Sequence, residues 1–181
     1  LGTSTSRTIT IGGTGTYTLG GVISGSSSNL TVASTAAGTI VLRGANTYNG
    51  TTTVSGGTLR LNRTGGTTLP TGNSVVVNSG GTLTISTAQQ LANVTVDAGG
   101  TLILNATLTV SGTATINGTL QIGQGGFATT TGGGSYTYGS NGTLAYNLTS
   151  WTYGPVDAGH VYWPATNGPV NVTMTGTGTA A

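Results

Sequence analysis

The sequence has no cysteine, no lysine and no glutamate, and only six of its 181 residues are charged. The charged residues are Arg7, Arg43, Arg60, Arg63, Asp97 and Asp157, and the single histidine is His160. Six scattered charges cannot supply the basic surface that phosphate binding needs, so we predict no nucleic-acid partner despite the isoelectric point of 9.2. Two carboxylates and one imidazole leave little for acid–base or metal chemistry. We therefore predict no catalytic residue, no metal and no cofactor.

Long apolar runs are also missing, since none approaches the roughly 18 residues that a membrane-spanning helix needs, and we predict no membrane insertion. Glycine (34) and threonine (41) together make up 75 of the 181 residues, and this composition excludes a helical protein. The apolar residues, 35% of the chain, stand in short alternating runs beside threonine, which suits a pleated strand. The sequence therefore predicts an all-β protein of one domain.

One three-residue motif recurs along the chain: a glycine, a threonine and then a large apolar residue. Its seven copies begin at Gly15, Gly38, Gly57, Gly81, Gly100, Gly118 and Gly142, at intervals of 23, 19, 24, 19, 18 and 24 residues. Alternation after the threonine predicts an inward apolar pair in each later copy. These pairs are Ile40/Leu42, Leu59/Leu61, Leu83/Ile85, Leu102/Leu104, Leu120/Ile122 and Leu144/Tyr146. The outward residues are mixed, and only Thr82/Thr84 keeps two threonines, which disfavours an ice-binding lattice.

A second strand-like run precedes most copies of the motif, and short turns with glycine or asparagine separate run from motif. The runs are Ile9 to Ile11, Leu30 to Val32, Thr52 to Val54, Val75 to Val77, Val94 to Val96 and Ala114 to Ile116. A unit of about 20 residues cannot bury its own apolar face, whereas parallel stacking of successive units buries all of them in one column. We therefore predict a right-handed parallel β-helix, a β-solenoid of about seven to eight coils of 18–26 residues. The competing fold is a β-sandwich of antiparallel hairpins.

The composition changes in the last third of the chain. Residues 1–122 hold the regular repeats, and residues 123–181 hold eight of the ten aromatic residues and three of the four prolines. We predict that 123–181 continues the β-helix with an aromatic and proline-rich loop excursion.

One segment resembles a known repeat. Gly44-Ala-Asn-Thr-Tyr-Asn-Gly-Thr-Thr-Thr-Val-Ser-Gly-Gly-Thr-Leu-Arg-Leu-Asn62 is similar to the autotransporter-associated β-strand repeat of bacterial surface proteins. The tail, with Gly142-Thr-Leu-Ala-Tyr-Asn147, Trp163-Pro164 and Gly168-Pro-Val-Asn-Val-Thr173, resembles a segment of giant surface adhesins of the Bacteroidetes. The resemblance implies a secreted, β-helical stalk or adhesin at the cell surface.

Aromatic side chains are the candidate contacts for glycans. Trp151, Tyr153, Tyr162 and Trp163 could present ring faces to sugars. The alternative is that they pack in place of the aliphatic core, which the inward position of Tyr146 favours. Asp157 and His160 stand three residues apart, but no G-x-S-x-G motif accompanies them, so a role in a loop is the simpler interpretation. Asp97 stands at the turn position of the neighbouring repeats, which a role in the turn explains.

Asparagine forms nine Asn-x-Thr sequons, which are candidate glycosylation sites on a secreted chain. They begin at Asn29, Asn49, Asn62, Asn93, Asn105, Asn117, Asn141, Asn147 and Asn171. The surplus also has a structural explanation, because a corner followed by a strand repeatedly places asparagine two residues before threonine.

We expect an extracellular structural or adhesive segment without catalysis. A self-assembling extracellular filament subunit and a carbohydrate-binding module are the alternatives. The expected partners are other copies or neighbouring repeats of the same protein through the solenoid ends, and surface glycans of host or neighbouring cells. No amphipathic capping helix is visible at either end, so we expect either a longer chain or copies that stack end to end.

Overall fold

The computed structural model describes residues 6–149, 152–153, 160–177 and 179–180, in which the chain forms β-strands joined by turns. Two long parallel sheets contain most of the strands, and two short sheets contain the rest. Within these residues no helix is long and apolar enough to cross a membrane.

The strands are numbered β1 to β20 along the chain and fall into four sheets. Sheet A contains β1 (Ser6–Ile11), β3 (Asn29–Ser34), β5 (Thr52–Val54), β7 (Val75–Val77), β10 (Val94–Val96), β13 (Thr113–Ile116) and β16 (Ser135–Tyr138). Sheet B contains β2 (Thr16–Leu19), β4 (Thr39–Leu42), β6 (Gly57–Leu61), β8 (Gly81–Ile85), β11 (Thr101–Leu104), β14 (Thr119–Gly123), β17 (Thr143–Leu148) and β19 (Asn171–Gly176). Sheet C contains β9 (Gln89–Leu91), β12 (Thr107–Val110) and β15 (Phe127–Thr130), and β18 (Thr152–Tyr153) pairs with β20 (Thr179–Ala180).

The chain alternates between sheets A and B and returns to sheet B one strand further along at each turn. From β2 to β17 this winding makes six complete turns, in a β-solenoid of about six turns. Sheet B contains eight strands, but the turns number about six, fewer than the seven to eight coils predicted. Every pairing between the named strands is parallel, which confirms the solenoid and excludes the hairpin sandwich in the described residues.

The core is a single column of apolar side chains between the sheets. All six predicted inward pairs of sheet B are buried, and Leu83, Leu102 and Leu120 lie in register on three successive strands. The six runs predicted before the motif all lie in sheet A. Two outward residues, Val41 and Ala145, are also buried, at 5% and 6% exposure.

The threonine of the repeated motif forms a column on the outer face of sheet B. Seven threonines lie in register, one from each sheet B strand between β2 and β17: Thr16, Thr39, Thr58, Thr82, Thr101, Thr119 and Thr143. The next outward column contains Arg60, Ile103 and Gln121, so it does not continue the hydroxyl pattern.

The glycine of the motif lies where two coils approach each other closely. A Cβ atom there would lie 2.3 to 2.6 Å from a carbonyl oxygen of the preceding coil, at Gly38, Gly81, Gly100, Gly118 and Gly142. Real Cβ atoms do not approach a backbone oxygen this closely. Glycine therefore recurs at this position because backbone packs directly on backbone. The corner glycines differ in backbone conformation, because φ is positive at Gly80 and Gly99 but not at Gly118.

A third side of the solenoid was not predicted from the sequence. Sheet C begins only at β9, and its strands pair β9 with β12 and β12 with β15. Leu91, Leu108 and Val110 from this sheet are buried in the same core. In the earlier coils, loops occupy the place of these strands, so each unit contains more than the predicted strand, corner and strand.

We predict that Leu102→Ala destabilises the protein by about 2–5 kcal/mol, because Leu102 is fully buried between in-register leucines. Ile103→Ala is the matched control, since the adjacent Ile103 faces outward and is half-buried, and we expect about 1 kcal/mol or less. Urea unfolding followed by circular dichroism measures both. Equal losses for the two variants would contradict the assignment of the inward face.

Candidate functional site

The predicted aromatic contacts are placed differently from one another. Trp151 lies outside the described residues, and Tyr153 lies in the two-residue strand β18. Tyr162 is buried at 5% exposure, and Trp163 is half-buried and packs against the core. The backbone N–H of Trp163 donates to the carbonyl of His160 at 2.9 Å, which forms a tight turn. The Tyr162 ring therefore faces the core and the Trp163 ring is partly covered.

Three further tyrosines replace aliphatic side chains in the last coils. By register, Tyr136 stacks on Ala114, Tyr138 on Ile116 and Tyr146 on Ile122, and all three tyrosines are buried. The Tyr138 hydroxyl donates to the carbonyl of Tyr162 at 2.6 Å, and this bond ties the aromatic turn to sheet A. Burial, together with the neighbouring tyrosines, raises the pKa of Tyr138 well above its ordinary value. These three tyrosines are thus part of the core.

A cavity of about 380 Å³ lies beside this turn, lined by Thr130, Ser135, Tyr136, His160 and Pro164, among other residues. The His160 and Tyr162 rings stack, with their centroids 5.6 Å apart and their planes at 8°. Asp157, the predicted neighbour of His160, lies outside the described residues. The cavity combines one imidazole with hydroxyls.

Asp97 lies at the predicted corner between sheets A and B. The N–H of Gly100 donates to the carbonyl of Asp97 at 2.8 Å, which closes the turn before β11. By register, Asp97 lies between Asn78 and Asn117 of the adjacent coils. Among the described residues, no group of three histidine, cysteine or acidic side chains could hold a metal ion.

A series of buried hydrogen bonds links the segments next to β5 and β7, and the sequence did not predict it. Tyr48 is fully buried, and its hydroxyl lies 2.7 Å from that of Thr52, which itself donates to Asn73 Oδ1 at 2.9 Å. The Asn73 amide donates in turn to the carbonyl of Gly50. Burial raises the pKa of Tyr48 to about 12, and the hydrogen bond with Thr52 partly offsets this rise. Thr52 occupies a core position in register with Leu30 and Val75, so these partners are what allow a hydroxyl there.

Two buried amides hold the loops of the same coils. Gln89 Oε1 accepts from the N–H groups of Thr68 and Leu69, both at 3.1 Å. Asn46 donates to the carbonyl of Thr68 at 3.0 Å and accepts from the N–H of Ile23 at 2.8 Å. Each amide therefore bonds the backbone of neighbouring coils. Their isolated positions in the sequence gave no sign of burial.

Sequon asparagines recur at corners where the next coil places a glycine. The Asn93 side chain accepts from the N–H of Thr113 at 2.9 Å, and Asn29 accepts from the N–H of Thr51 at 2.8 Å. Asn49 likewise accepts from the N–H of Ser27. At four corners a Cβ on the stacked glycine would lie 2.0 to 2.4 Å from the asparagine oxygen, in the pairs Asn29/Gly50, Asn93/Gly112, Asn105/Gly123 and Asn117/Gly139. These side chains lie against the next coil.

Three other sequon asparagines make no side-chain hydrogen bond among the described residues. Asn141 and Asn171 are exposed and Asn62 is half-buried. Glycosylation stays a prediction for all nine positions. At these three, a glycan would displace no hydrogen bond between coils.

We predict that Gly112→Ala destabilises the protein by about 1–3 kcal/mol. The new Cβ would lie 2.3 Å from Asn93 Oδ1 and 2.9 Å from the carbonyl of Ala92, so the bond from Asn93 to Thr113 must break. Gly72→Ala is the control, because nothing lies within 4 Å of its Cβ position, and we expect a change within about 1 kcal/mol. Thermal unfolding of both variants measures the difference. Similar unfolding midpoints would contradict the close approach of Gly112 to Asn93.

The buried Tyr48 predicts a loss of stability in alkali. Its pKa rises from about 10 in the unfolded chain to about 12 in the fold, so its contribution is complete below pH 10 and is lost as the pH rises through 12. Urea unfolding at several pH values between 9 and 12 measures the slope, to which each such group adds at most about 1.4 kcal/mol per pH unit. Tyr48→Phe should flatten that slope. An unchanged slope in Tyr48→Phe would contradict the raised pKa of Tyr48.

Comparison with known proteins gives a match for one stretch of the chain. No curated protein and no solved structure matches the chain. Residues 37–61 match the family model described as Passenger-associated-transport-repeat. The matched stretch contains β4, β5 and β6, one full passage from sheet B through sheet A and back. The resemblance of the tail to Bacteroidetes adhesins stays a prediction. Residues 37–61 thus fit an autotransporter-associated repeat, as predicted, and they form part of a longer β-solenoid.

Proposed function

We propose that this chain is an extracellular segment of a bacterial secreted or surface protein, which works by extending and making contacts. The observation that carries the proposal is the position of the passenger-associated repeat within an uninterrupted stack. The strands on either side of residues 37–61 pair with it in the same register. The flanking coils therefore behave as further copies of the same structural unit.

The stack supports a structural role because it is long, continuous and uniformly packed. Each strand of a parallel sheet adds about 4.8 Å, so the eight strands of sheet B span about 35 Å. One apolar core runs through the coils from Leu30 to Leu148, and buried polar side chains within it, such as Thr52 and Gln89, have hydrogen-bond partners. Such a rod resists bending because every coil is bonded along its length to the next.

The scarcity of ionisable groups favours a role in extension and in contact with other molecules over a role in catalysis. The whole sequence has two carboxylates and one histidine, whereas acid–base catalysis needs positioned groups of matched pKa. The aromatic carbohydrate-binding module receives less support, since Tyr162 is buried and Trp163 is half-buried.

A filament subunit is the second candidate, and the end coils favour it. Tyr17, Val172 and Met174 occupy core positions by register, over Ile40, Leu144 and Tyr146. They are nevertheless 52%, 37% and 59% exposed. A further coil placed on either end would cover these side chains, and it could come from neighbouring repeats or from another copy of the protein.

Antibody labelling of intact cells of the source organism tests the leading proposal. We expect labelling of intact cells equal to that of permeabilised cells, because the coils would lie outside the outermost membrane. Labelling only after permeabilisation would overturn the extracellular location. Electron microscopy of the purified native protein separates the two candidates, since polymers with a repeat of one chain support the filament and discrete rods support the stalk.

A further inference from the structure

Three of the four arginines of this sparsely charged chain lie together on two neighbouring coils. Arg60 lies in β6 and is exposed on the outer face of sheet B, in register with Val41 of β4. Arg43 follows β4 and is exposed, and Arg63 follows β6. Continuing the register places Arg43 beside Asn62, diagonal to Arg60 at about 7–8 Å between Cα atoms. Arg43, Arg60 and Arg63 are called the arginine patch below.

Among the described residues, no carboxylate lies close to the arginine patch. Asp97, the one carboxylate among the described residues, precedes β11, whereas Arg43 and Arg63 follow their strands. Because the strands are parallel, Asp97 lies at the opposite end of sheet B, and β11 is two strands away from β6. The separation exceeds about 10 Å, which is longer than the screening length of about 8 Å at physiological ionic strength. Within the described residues, Arg43 and Arg60 therefore lie near each other with no acidic partner.

The loop after β6 fixes the position of Arg63. Its Nη1 donates to the carbonyl of Thr67 at 2.9 Å, and its backbone N–H donates to the hydroxyl of Thr87 at 3.2 Å. Gly66 has a φ of 147°, and a Cβ there would lie 2.6 Å from Nη1. The loop thus folds around the guanidinium only because residue 66 is glycine.

A cavity of about 430 Å³ adjoins Arg63, and it is lined by the hydroxyl residues Thr64, Thr67 and Thr87 together with loop glycines. Its volume falls within the range of about 300–1,000 Å³ that small ligands occupy. The lining combines one cation and three threonines with apolar surface that includes Ala88, which suits a sugar ring, with its polar and apolar faces, that carries an acid group.

The other two arginines keep their guanidinium groups available. Arg60 donates through Nε to the hydroxyl of Ser86 at 2.8 Å, which leaves its terminal nitrogens for a ligand. The Arg43 side chain makes no hydrogen bond or ion pair within the described part of the chain. A guanidinium binds a carboxylate or a sulfate through two parallel hydrogen bonds. Threonines of the outward column, Thr39 and Thr58, provide hydroxyls alongside.

We propose that the arginine patch and the adjoining cavity bind an acidic polysaccharide, a chain of sugars carrying carboxylate or sulfate groups. One acid group would bind Arg63 in the cavity, and a neighbouring one would bind Arg60 and Arg43. Three cations are too few for double-stranded DNA, whose binding proteins make about 6–10 phosphate contacts. They also fall below the 4–8 basic residues typical of binding to anionic membranes. The choice of a polysaccharide rests on the proposed extracellular location, but binding is measured on purified protein, so either idea can fail alone.

Binding to immobilised polygalacturonate and to heparin tests the proposal, with neutral dextran and double-stranded DNA as comparisons. We expect binding to at least one acidic polysaccharide and none to dextran. Binding should weaken as salt rises from 0.1 M to 1 M, because the screening length falls from about 10 Å to about 3 Å. Arg60→Gln and Arg63→Gln should each weaken binding about tenfold, the effect of losing one charge-assisted hydrogen-bond pair.

Arg7→Gln is the matched control, because it removes the same charge from sheet A, away from the patch, and it should bind as the wild type does. Ser86→Ala removes the support of Arg60 but keeps every charge, so it should retain most of the binding. Unchanged circular dichroism and melting temperature show that each variant is folded. The proposal is overturned if neither polysaccharide binds at 0.1 M salt, if Arg7→Gln weakens binding as much as Arg60→Gln does, or if DNA binds as tightly as the polysaccharides.

Discussion

Parallel stacking in register is the interaction on which every other feature of this protein depends. A single coil presents leucines such as Leu102 to the axis but has nothing of its own to cover them. The coils before and after it supply that cover, through Leu83 and Leu120. Stability therefore resides in the contact between coils, as it does in other repeat proteins, and a coil at the end of the stack leaves core positions such as Tyr17 open to solvent.

Stacking this close also explains the unusual composition. Glycine of the repeated motif allows one backbone to rest on the carbonyl oxygens of the coil before it, as at Gly118. Corner asparagines such as Asn93 then bond the backbone of the next coil, where glycine again leaves the room. Threonine fills the outer column, where a β-branched side chain suits the strand and its hydroxyl meets water. Few positions remain for charge.

Because the chain has few charged residues, each of them has a large effect on the local electrostatic potential. A chain with a formal net charge of +2 has almost no field of its own, so three arginines on adjoining coils dominate the local potential. They lie next to a cavity lined by threonines, whereas Tyr136, Tyr138, Tyr146 and Tyr162 of the last coils are buried in the core. The contact surface of the proposed stalk or adhesin is for this reason assigned to the arginines.

The sequence by itself determined the strands, the inward face and the parallel stack, because alternation and a recurring glycine are local patterns that one solenoid satisfies repeatedly. Tertiary structure alone decided which residues from different coils meet. Tyr48, Thr52 and Asn73 form a chain of hydrogen bonds, because the loops between strands differ in length from coil to coil. Loop length carries no periodic signal, and for the same reason the third sheet and the burial of Gln89 escaped prediction.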